Sequence, residues 1–206
     1  MINKLFLLLV VFSTFVNLQA QSYDHHEFSI SYGVLNPDRF YTFKSPTLDN
    51  QLPDNRYIRD NYSSMGNIFF TYRFVSLNEY FMWGGTVGYG TGTSDVYYMS
   101  IKEGTIDRQF ITGAVELQFR YVNKGSFQMY SGIGLGITYG QEQFSAIAEG
   151  ATSGDRTMIL PGYQANLVGM RFGKRLAGYL ELGFGYKGIM NVGVAYSIYK
   201  FGHKKY

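Results

Sequence analysis

The pattern of residues 110–139 limits the fold more than any other part of the sequence. Apolar side chains recur at every second position through two segments, which Asn123, Lys124 and Gly125 separate. A period of two over this length predicts strands, because a helix would repeat every 3.6 residues. Asparagine and glycine adopt the positive φ of a tight turn without strain, so the stretch predicts an antiparallel hairpin.

The same alternation recurs in six further segments, which gives eight strands in all. The additional strands are predicted at residues 28–34, 66–74, 81–92, 160–172, 180–187 and 190–199. The segment 160–172 keeps its phase only with a bulge near 166–169, which leaves Tyr163, Ala165 and Leu167 on the apolar side. In the seventh strand we expect Tyr186 on the apolar face and Lys187 on the opposite one.

Long connections are predicted to alternate with short turns. The long ones cover residues 36–61, 93–106 and 141–157. A turn is expected at Lys102-Glu103-Gly104, which indicates that the two strands it joins continue beyond the apolar zone. A last tight turn is expected around Gly188. An even number of strands with alternating short turns and long loops is typical of outer-membrane barrels.

The polar face of the strands indicates which side of a barrel would meet lipid. A soluble barrel would fill its water-facing side with lysine, glutamate, threonine and aspartate, but here that face holds mainly glycine with isolated charges. Such a face suits the narrow interior of an eight-stranded barrel. We therefore predict an all-β fold, an eight-stranded antiparallel transmembrane β-barrel in an up-and-down meander. A soluble, lipocalin-like barrel is the alternative.

Aromatic residues beside the short turns fit the membrane interpretation. The chain has 17 Phe and 19 Tyr, and charged residues make up 16% of it. Aromatic side chains form girdles at the two interfaces of membrane barrels. The predicted girdle comprises Phe74, Phe81, Tyr121, Phe127, Phe172, Tyr179 and Phe201.

The first twenty residues are predicted to be a cleaved signal peptide (1–20), which leaves a barrel domain at 21–206. Lys4 is followed by an apolar run too short for a transmembrane helix, and Ala20 ends an acceptable cleavage site. The chain has no Cys, which excludes a lipoprotein anchor and disulfides. Residues 21–27 are interpreted as a polar, solvated lead-in rather than as metal ligands.

Six charged residues lie on the strand face that we expect to line the lumen. Because isolated charges are costly in a medium of low dielectric, they should pair. We predict that Glu116 and Glu181 bind Arg120 and Arg171, forming a structural network that fills the lumen, with a gate or a proton or ion path as the alternative. The predicted lumen charge network comprises Arg73, Glu116, Arg120, Arg171, Glu181 and Lys187.

The sequence gives no reason to expect catalysis, a cofactor or a metal. All three histidines lie near the termini, which argues against a His-dependent enzyme at the outer rim. The glycines at 132, 134 and 136 are spaced by two within a strand, unlike a dinucleotide-binding fingerprint. The net charge of +3 is too small to indicate a nucleic-acid partner.

The end of the chain carries a family resemblance. Residues 181–188 (Glu-Leu-Gly-Phe-Gly-Tyr-Lys-Gly) and 192–196 (Val-Gly-Val-Ala-Tyr) resemble the ending of small outer-membrane β-barrel domain proteins of the OmpA/OmpX type, which are abundant in Bacteroidota. The resemblance implies an integral barrel in the bacterial outer membrane. It says little about function, since such families are mostly of unknown role.

We expect a non-enzymatic role in envelope structure or in surface interaction. The expected partners are outer-membrane lipid, the barrel-assembly machinery and a surface partner that binds through 36–61, 93–106 or 141–157. The aromatic residues of the first loop suit a recognition surface. The alternatives are narrow-pore or lateral transport of a small hydrophobic ligand and, if the barrel is soluble, ligand binding in the periplasm.

Overall fold

The computed structural model describes residues 23–34, 57–98, 100–147 and 153–199. Within these residues the regular structure consists of eight strands, and no helix is long and apolar enough to cross a membrane. The strands are β1 (Tyr23–Val34), β2 (Tyr57–Ser76), β3 (Phe81–Tyr98), β4 (Ile101–Lys124), β5 (Phe127–Ala146), β6 (Gly154–Gly173), β7 (Leu176–Gly185) and β8 (Met190–Tyr199).

Each strand pairs antiparallel with the next, and β8 pairs with β1, so that the sheet closes on itself. The predicted all-β, eight-stranded antiparallel meander is therefore confirmed. Because the sheet closes, the barrel part has no free edges. The space inside the ring is called the lumen below. The turn end of the barrel is the end that carries the connections 77–80, 125–126 and 174–175.

The wall of the barrel is taller on one side than on the other. Strands β2 to β6 have 18 to 24 residues, whereas β1, β7 and β8 have 10 to 12. The five long strands therefore continue beyond the β7–β8 turn as an open sheet. This sheet replaces most of two predicted loops, because β3 reaches Tyr98 and β5 reaches Ala146.

Two predictions about the ends of strands are wrong. Lys102-Glu103-Gly104 is not a turn, since Lys102 pairs with Tyr97 and Gly104 pairs with Val96 across a bulge. Residues 23–27 are not a solvated lead-in, because β1 begins at Tyr23. The predicted signal peptide, Phe201 and residues 36–56 of the first loop lie outside the described residues.

Apolar side chains cover the outside of the ring. Across β2 to β6 the outward residues Ile68, Tyr89, Ile111, Tyr139 and Ile159 form one continuous row of paired positions, and each is at least 44% exposed. The next outward row, farther from the turn end, is polar from β3 onward and consists of Thr91, Gln109, Gln141 and Thr157. On β3 to β6 the apolar band therefore ends between the same two successive rows of outward residues.

The outward and inward residues of β6 are the ones that the sequence predicts, because the predicted bulge is there. The bulge predicted in β6 is present, since the pairing with β7 shifts between Asn166 and Val168 and Leu167 is exposed. As a result Tyr163 and Ala165 point outward before the bulge, and Met170 does so after it. A one-residue shift is needed because an unbroken period of two would turn one half of the strand inside out.

Two aromatic residues do not lie where the sequence predicts them. Tyr179, which we assigned to the girdle, points into the lumen and is buried. Tyr186, which we assigned to the outer face of the seventh strand, lies in the turn after β7 and is also buried. Of the remaining girdle residues, Phe81, Tyr121 and Phe172 are exposed on the outer face.

Candidate functional site

The candidate site is the cluster of charged side chains in the lumen. The six side chains that the sequence assigns to the lumen all point inward and are buried. Relative exposure is 0–4% for Arg73, Glu116, Arg120, Arg171, Glu181 and Lys187. Alternation explains the placement of the five that lie on strands, because each has the same parity as the other inward residues of its strand. Lys187 lies after the end of β7 and is placed by the β7–β8 turn.

Arg73 on β2 is the centre of the cluster. Its guanidinium lies 3.3 Å from the Glu27 carboxylate and 3.5 Å from the carboxylates of Glu116 and Glu181. These three glutamates come from β1, β4 and β7, so one arginine links strands from around the ring. Tyr179 stacks beneath the same guanidinium, with its ring centroid 5.9 Å from Cζ.

Lys187 enters the cluster from the β7–β8 turn. Its Nζ lies 2.7 Å from a Glu116 oxygen and 3.3 Å from a Glu181 oxygen, and its backbone N–H donates to Gln164 at 2.9 Å. Tyr186, the residue before it, donates its hydroxyl to Glu116 at 2.9 Å. The turn therefore folds into the lumen and places a cation between two carboxylates.

Two glycines make the space that this turn occupies. A Cβ on Gly134 of β5 would lie 2.4 Å from the Tyr186 hydroxyl oxygen. A Cβ on Gly33 of β1 would lie 2.3 Å from the carbonyl oxygen of Lys187. Both distances are far below van der Waals contact, so these inward positions require glycine for the turn to remain inside.

The remaining lone pairs of the two carboxylates are taken by neutral donors. Glu181 accepts from the Tyr130 hydroxyl at 2.9 Å and from Asn191 Nδ2 at 2.8 Å. Gln118 Nε2 bridges Glu116 and Glu181 at 3.4 and 3.3 Å. Every oxygen of these two carboxylates therefore has a hydrogen-bond partner, which offsets the cost of burying their charge.

The structure corrects the predicted pairing. Glu116 and Glu181 bind Arg73 and Lys187, not Arg120 and Arg171. Arg171 instead lies 3.1 Å from Glu27, near the turn end. Arg120 donates to the backbone carbonyl of Glu79 at 3.2 Å and to the Met82 sulfur at 2.9 Å, and to no carboxylate in the described part of the chain.

Sequence reasoning missed three buried charged residues. Glu27 was excluded because its segment was taken for a lead-in, although it has the same parity as Ser29 and Ser31. Arg108 and Glu142 form a second ion pair at 2.8 Å on the inner face of β4 and β5. Glu142 lies in the predicted loop 141–157, and Arg108 lies between the predicted loop 93–106 and the predicted hairpin 110–139. In each case the alternation continues past the apolar band, and that signal would have found them.

The cluster joins charged side chains from β1, β2, β4, β6 and β7 and from the β7–β8 turn. Its carboxylates are fixed by cations and by neutral donors on several strands. Among the described residues, no group of three or more His, Cys, Asp or Glu side chains is placed to bind a metal ion. His25 and His26 lie on opposite faces of β1, and His26 Nδ1 is 2.9 Å from the Tyr72 hydroxyl on the outer side.

Comparison with known proteins identifies no family for this chain. No model of a known protein family matches the chain, and no curated protein matches it by sequence. The fold and the site define a closed eight-stranded barrel with an apolar outer face and a charged, filled interior.

Proposed function

We propose that this chain is an integral protein of a bacterial outer membrane with a structural or surface-interaction role and no catalytic one. The observation that carries the proposal is the inverted distribution of polarity. The outer face of the ring exposes side chains such as Leu135 and Ile137, at 69% and 60%, while ionised groups are buried in the lumen. In water this arrangement would expose a continuous apolar band.

A closed barrel is one of the two architectures that satisfy every backbone polar group in lipid. The apolar outer residues of β3 run from Phe81 to Tyr89, which is close to the ~9–11 residues that a tilted strand needs to cross a bilayer. The signal peptide predicted at 1–20 would export the chain. The proposed partners in this setting are outer-membrane lipid and the barrel-assembly machinery.

The surface-interaction role rests on the parts of the long strands beyond the apolar band. The outward faces of the β3–β4 and β5–β6 hairpins carry polar residues there, among them Thr93, Asp107 and Gln143. Lys102 forms an ion pair with Asp95 at 2.7 Å near the tip of the first hairpin. We propose that these hairpins extend into the medium and present the surface that a partner would bind.

Transport is the less favoured function because the lumen is filled. The Lys187 side chain, the Tyr186 ring and the buried charged side chains of the wall all lie inside it. An eight-stranded ring is only wide enough to be filled by its own side chains. Recording single channels in planar bilayers distinguishes the two functions: the proposed role predicts no conductance steps, and steps dependent on the barrel would favour a pore.

Membrane fractionation tests the location. The full-length protein should appear in the outer-membrane fraction, and its mobility on a denaturing gel should change when the sample is boiled, because folded barrels resist detergent until heated. Recovery in the soluble periplasmic fraction after osmotic shock, without a mobility shift, would contradict the proposal.

A further inference from the structure

The buried charges of the barrel do not balance. The charged side chains that are buried among the described residues comprise five cations and four carboxylates. They are Arg73, Arg108, Arg120, Arg171 and Lys187 on one side and Glu27, Glu116, Glu142 and Glu181 on the other. One positive charge therefore has no buried counterpart.

The pairing identifies the extra cation. Three carboxylates share Arg73, Arg171 and Lys187, and Glu142 binds Arg108. Arg120 alone among these five cations makes no ion pair with a described carboxylate. It is 1% exposed, its Nε has no hydrogen-bond partner, and one of its terminal nitrogens contacts only the weakly accepting Met82 sulfur.

Arg120 cannot lose its unpaired positive charge by releasing a proton. A buried lysine or carboxylate can become neutral when its charge is not compensated, but a guanidinium stays charged at any pH at which the protein is folded. An uncompensated buried charge is strongly destabilising. The expected remedy is a counterion.

A cavity of about 310 Å³ lies at the turn end of the barrel, and one of its lining residues is Glu79, whose backbone carbonyl accepts from Arg120. Its lining includes Glu79, Asn123, Gln128 and Lys174. The backbone carbonyl of Glu79 accepts from Arg120, while Gln128 Oε1 and the carbonyl of Lys174 accept from Arg171. Two guanidinium groups thus bind the groups that form its wall.

The lining offers donors to an anion. Gln128 Nε2 donates to Asn123 Oδ1 at 3.0 Å, and each of these two side-chain amides has a second N–H beyond the bond that it already donates. Lys174 contributes an exposed ammonium group. Glu79 is the one carboxylate among the lining residues, and Asn123 Nδ2 donates to it at 2.7 Å. The net charge of Arg120, Arg171, Lys174, Glu27 and Glu79 is positive, so the potential in the cavity favours an anion.

We propose that the turn end of the lumen is a binding site for a small anion, an inorganic oxyanion, a halide or a carboxylate, with Arg120 as its counter-charge. The anion enters through the cavity lined by Asn123, Gln128 and Lys174 and neutralises the fifth buried cation. Binding of the anion to the folded barrel, and not to the unfolded chain, makes stability depend on anion concentration.

The test measures unfolding of the purified full-length barrel in urea, in micelles of a neutral detergent. Sodium chloride, sodium phosphate and sodium acetate are titrated separately. The salt that stabilises the barrel at the lowest concentration shows whether the site prefers a halide, an inorganic oxyanion or a carboxylate. When an anion reaches 100 times its dissociation constant, the unfolding equilibrium constant should fall about 100-fold. Arg120→Met should abolish this dependence and should be at least as stable as the wild type at low salt.

Arg108→Met is the matched control. It removes a buried arginine that already has its carboxylate, so it should lower stability and keep the anion dependence. If Arg120→Met does not fold, Lys174→Gln at the exposed side of the cavity should raise the half-saturating anion concentration severalfold. A wild type that does not respond to any of the three anions, or responses equal in wild type and variant, would overturn the proposal. These results concern the purified barrel, so they do not depend on its location in the cell.

Discussion

Glu116 holds two buried cations and a buried hydroxyl at once. Lys187 Nζ lies 2.7 Å from it, an Arg73 nitrogen lies 3.5 Å away, and Tyr186 donates to it at 2.9 Å. Removing one member of a buried ion pair leaves the other charged and unsolvated. The loss of this carboxylate therefore affects β2 and the β7–β8 turn together with β4.

Glu116→Ala is expected to lower the free energy of unfolding by about 3–5 kcal/mol, the cost of breaking a buried pair. Urea unfolding in detergent, followed by the heat-dependent gel shift, measures the change. The control is Lys102→Ala, which removes an exposed partner of Asp95 and should leave stability close to that of the wild type. A Glu116→Ala protein that unfolds like the wild type would show that the lumen network does not hold the barrel together.

Two glycines on neighbouring strands give a second comparison. Gly134→Val places a methyl-bearing carbon against the Tyr186 hydroxyl and should cost about 1–3 kcal/mol through overpacking. At Gly113, which faces outward, an added Cβ meets no atom within 4 Å. Gly113→Val should therefore be neutral or stabilising, and equal effects of the two substitutions would contradict the inserted turn.

Parity places lumen residues from sequence, but it does not predict their partners. The position of Arg73, Glu116 or Glu181 inside the ring follows from alternation alone. Which of them meet depends on the stagger of the strands and on a turn that brings Lys187 back into the ring. Neither is encoded within one strand, and for that reason the predicted pairing of Glu116 with Arg120 is wrong.

At the scale of elements, the end of β7 shows how local geometry overrides alternation. The pattern Leu180 to Lys187 predicts a strand to its last residue, yet β7 ends at Gly185. Gly185 and Gly188 have φ of 143° and 86°, which bend the chain inward between them. The same happens at the β3–β4 tip, where Ser100 adopts a φ of 69° and moves the turn away from Lys102-Glu103-Gly104.

Beyond the ring, β6 has a free edge, and a proline on that edge limits pairing with another strand. Its last backbone hydrogen bond toward β7 runs from the Tyr186 N–H to the Tyr163 carbonyl at 3.0 Å. Two residues earlier on the same edge stands Pro161, which has no N–H to offer to a further strand. Proline at such a position discourages edge-to-edge pairing with another chain.

The tip of the β3–β4 hairpin should loosen in acid. Asp95 lies outside the apolar band, and the hydrogen bond from Lys102 lowers the pKa of its carboxyl group below the ordinary value of 3.8. A lowered pKa in the folded state contributes stability that is present above 3.8 and is lost as the pH falls through the folded-state value. Amide exchange at the tip should accelerate in that range, and Lys102→Ala should move the onset to higher pH.

At the scale of the whole molecule, the sequence predicts the number and order of the strands better than it predicts their lengths. Eight strands, their order and their faces follow from period-two alternation with an apolar side. The full extensions of β3 to β6 do not, because beyond the apolar band the outer face becomes polar and the apolar residues Val96, Ile106 and Phe144 lie on the inner face. Neighbours on both sides stabilise the extensions of β3, β4 and β5, and β5 alone pairs with that of β6, which is a tertiary effect.

The direction that the barrel faces can be tested by a charge on its outer wall. Leu135→Arg places a guanidinium in the middle of the apolar band and should cost about 2–4 kcal/mol in lipid. Thr157→Arg, on the polar part of β6, should cost nothing measurable. The experiment is reversible folding into phospholipid vesicles at increasing urea. Equal stabilities for the two variants would mean that the outer face meets water.

The single tryptophan of the chain offers the most direct measurement. Trp83 lies in the apolar band on the outer side of β3, in the same row as Leu117 and Ile133, and stacks on Phe74 at 4.8 Å. In vesicles, its fluorescence should be quenched by phospholipids brominated in their acyl chains and should be insensitive to iodide in the water. Quenching by iodide without any effect of the brominated lipids would contradict a barrel whose outer wall faces the membrane.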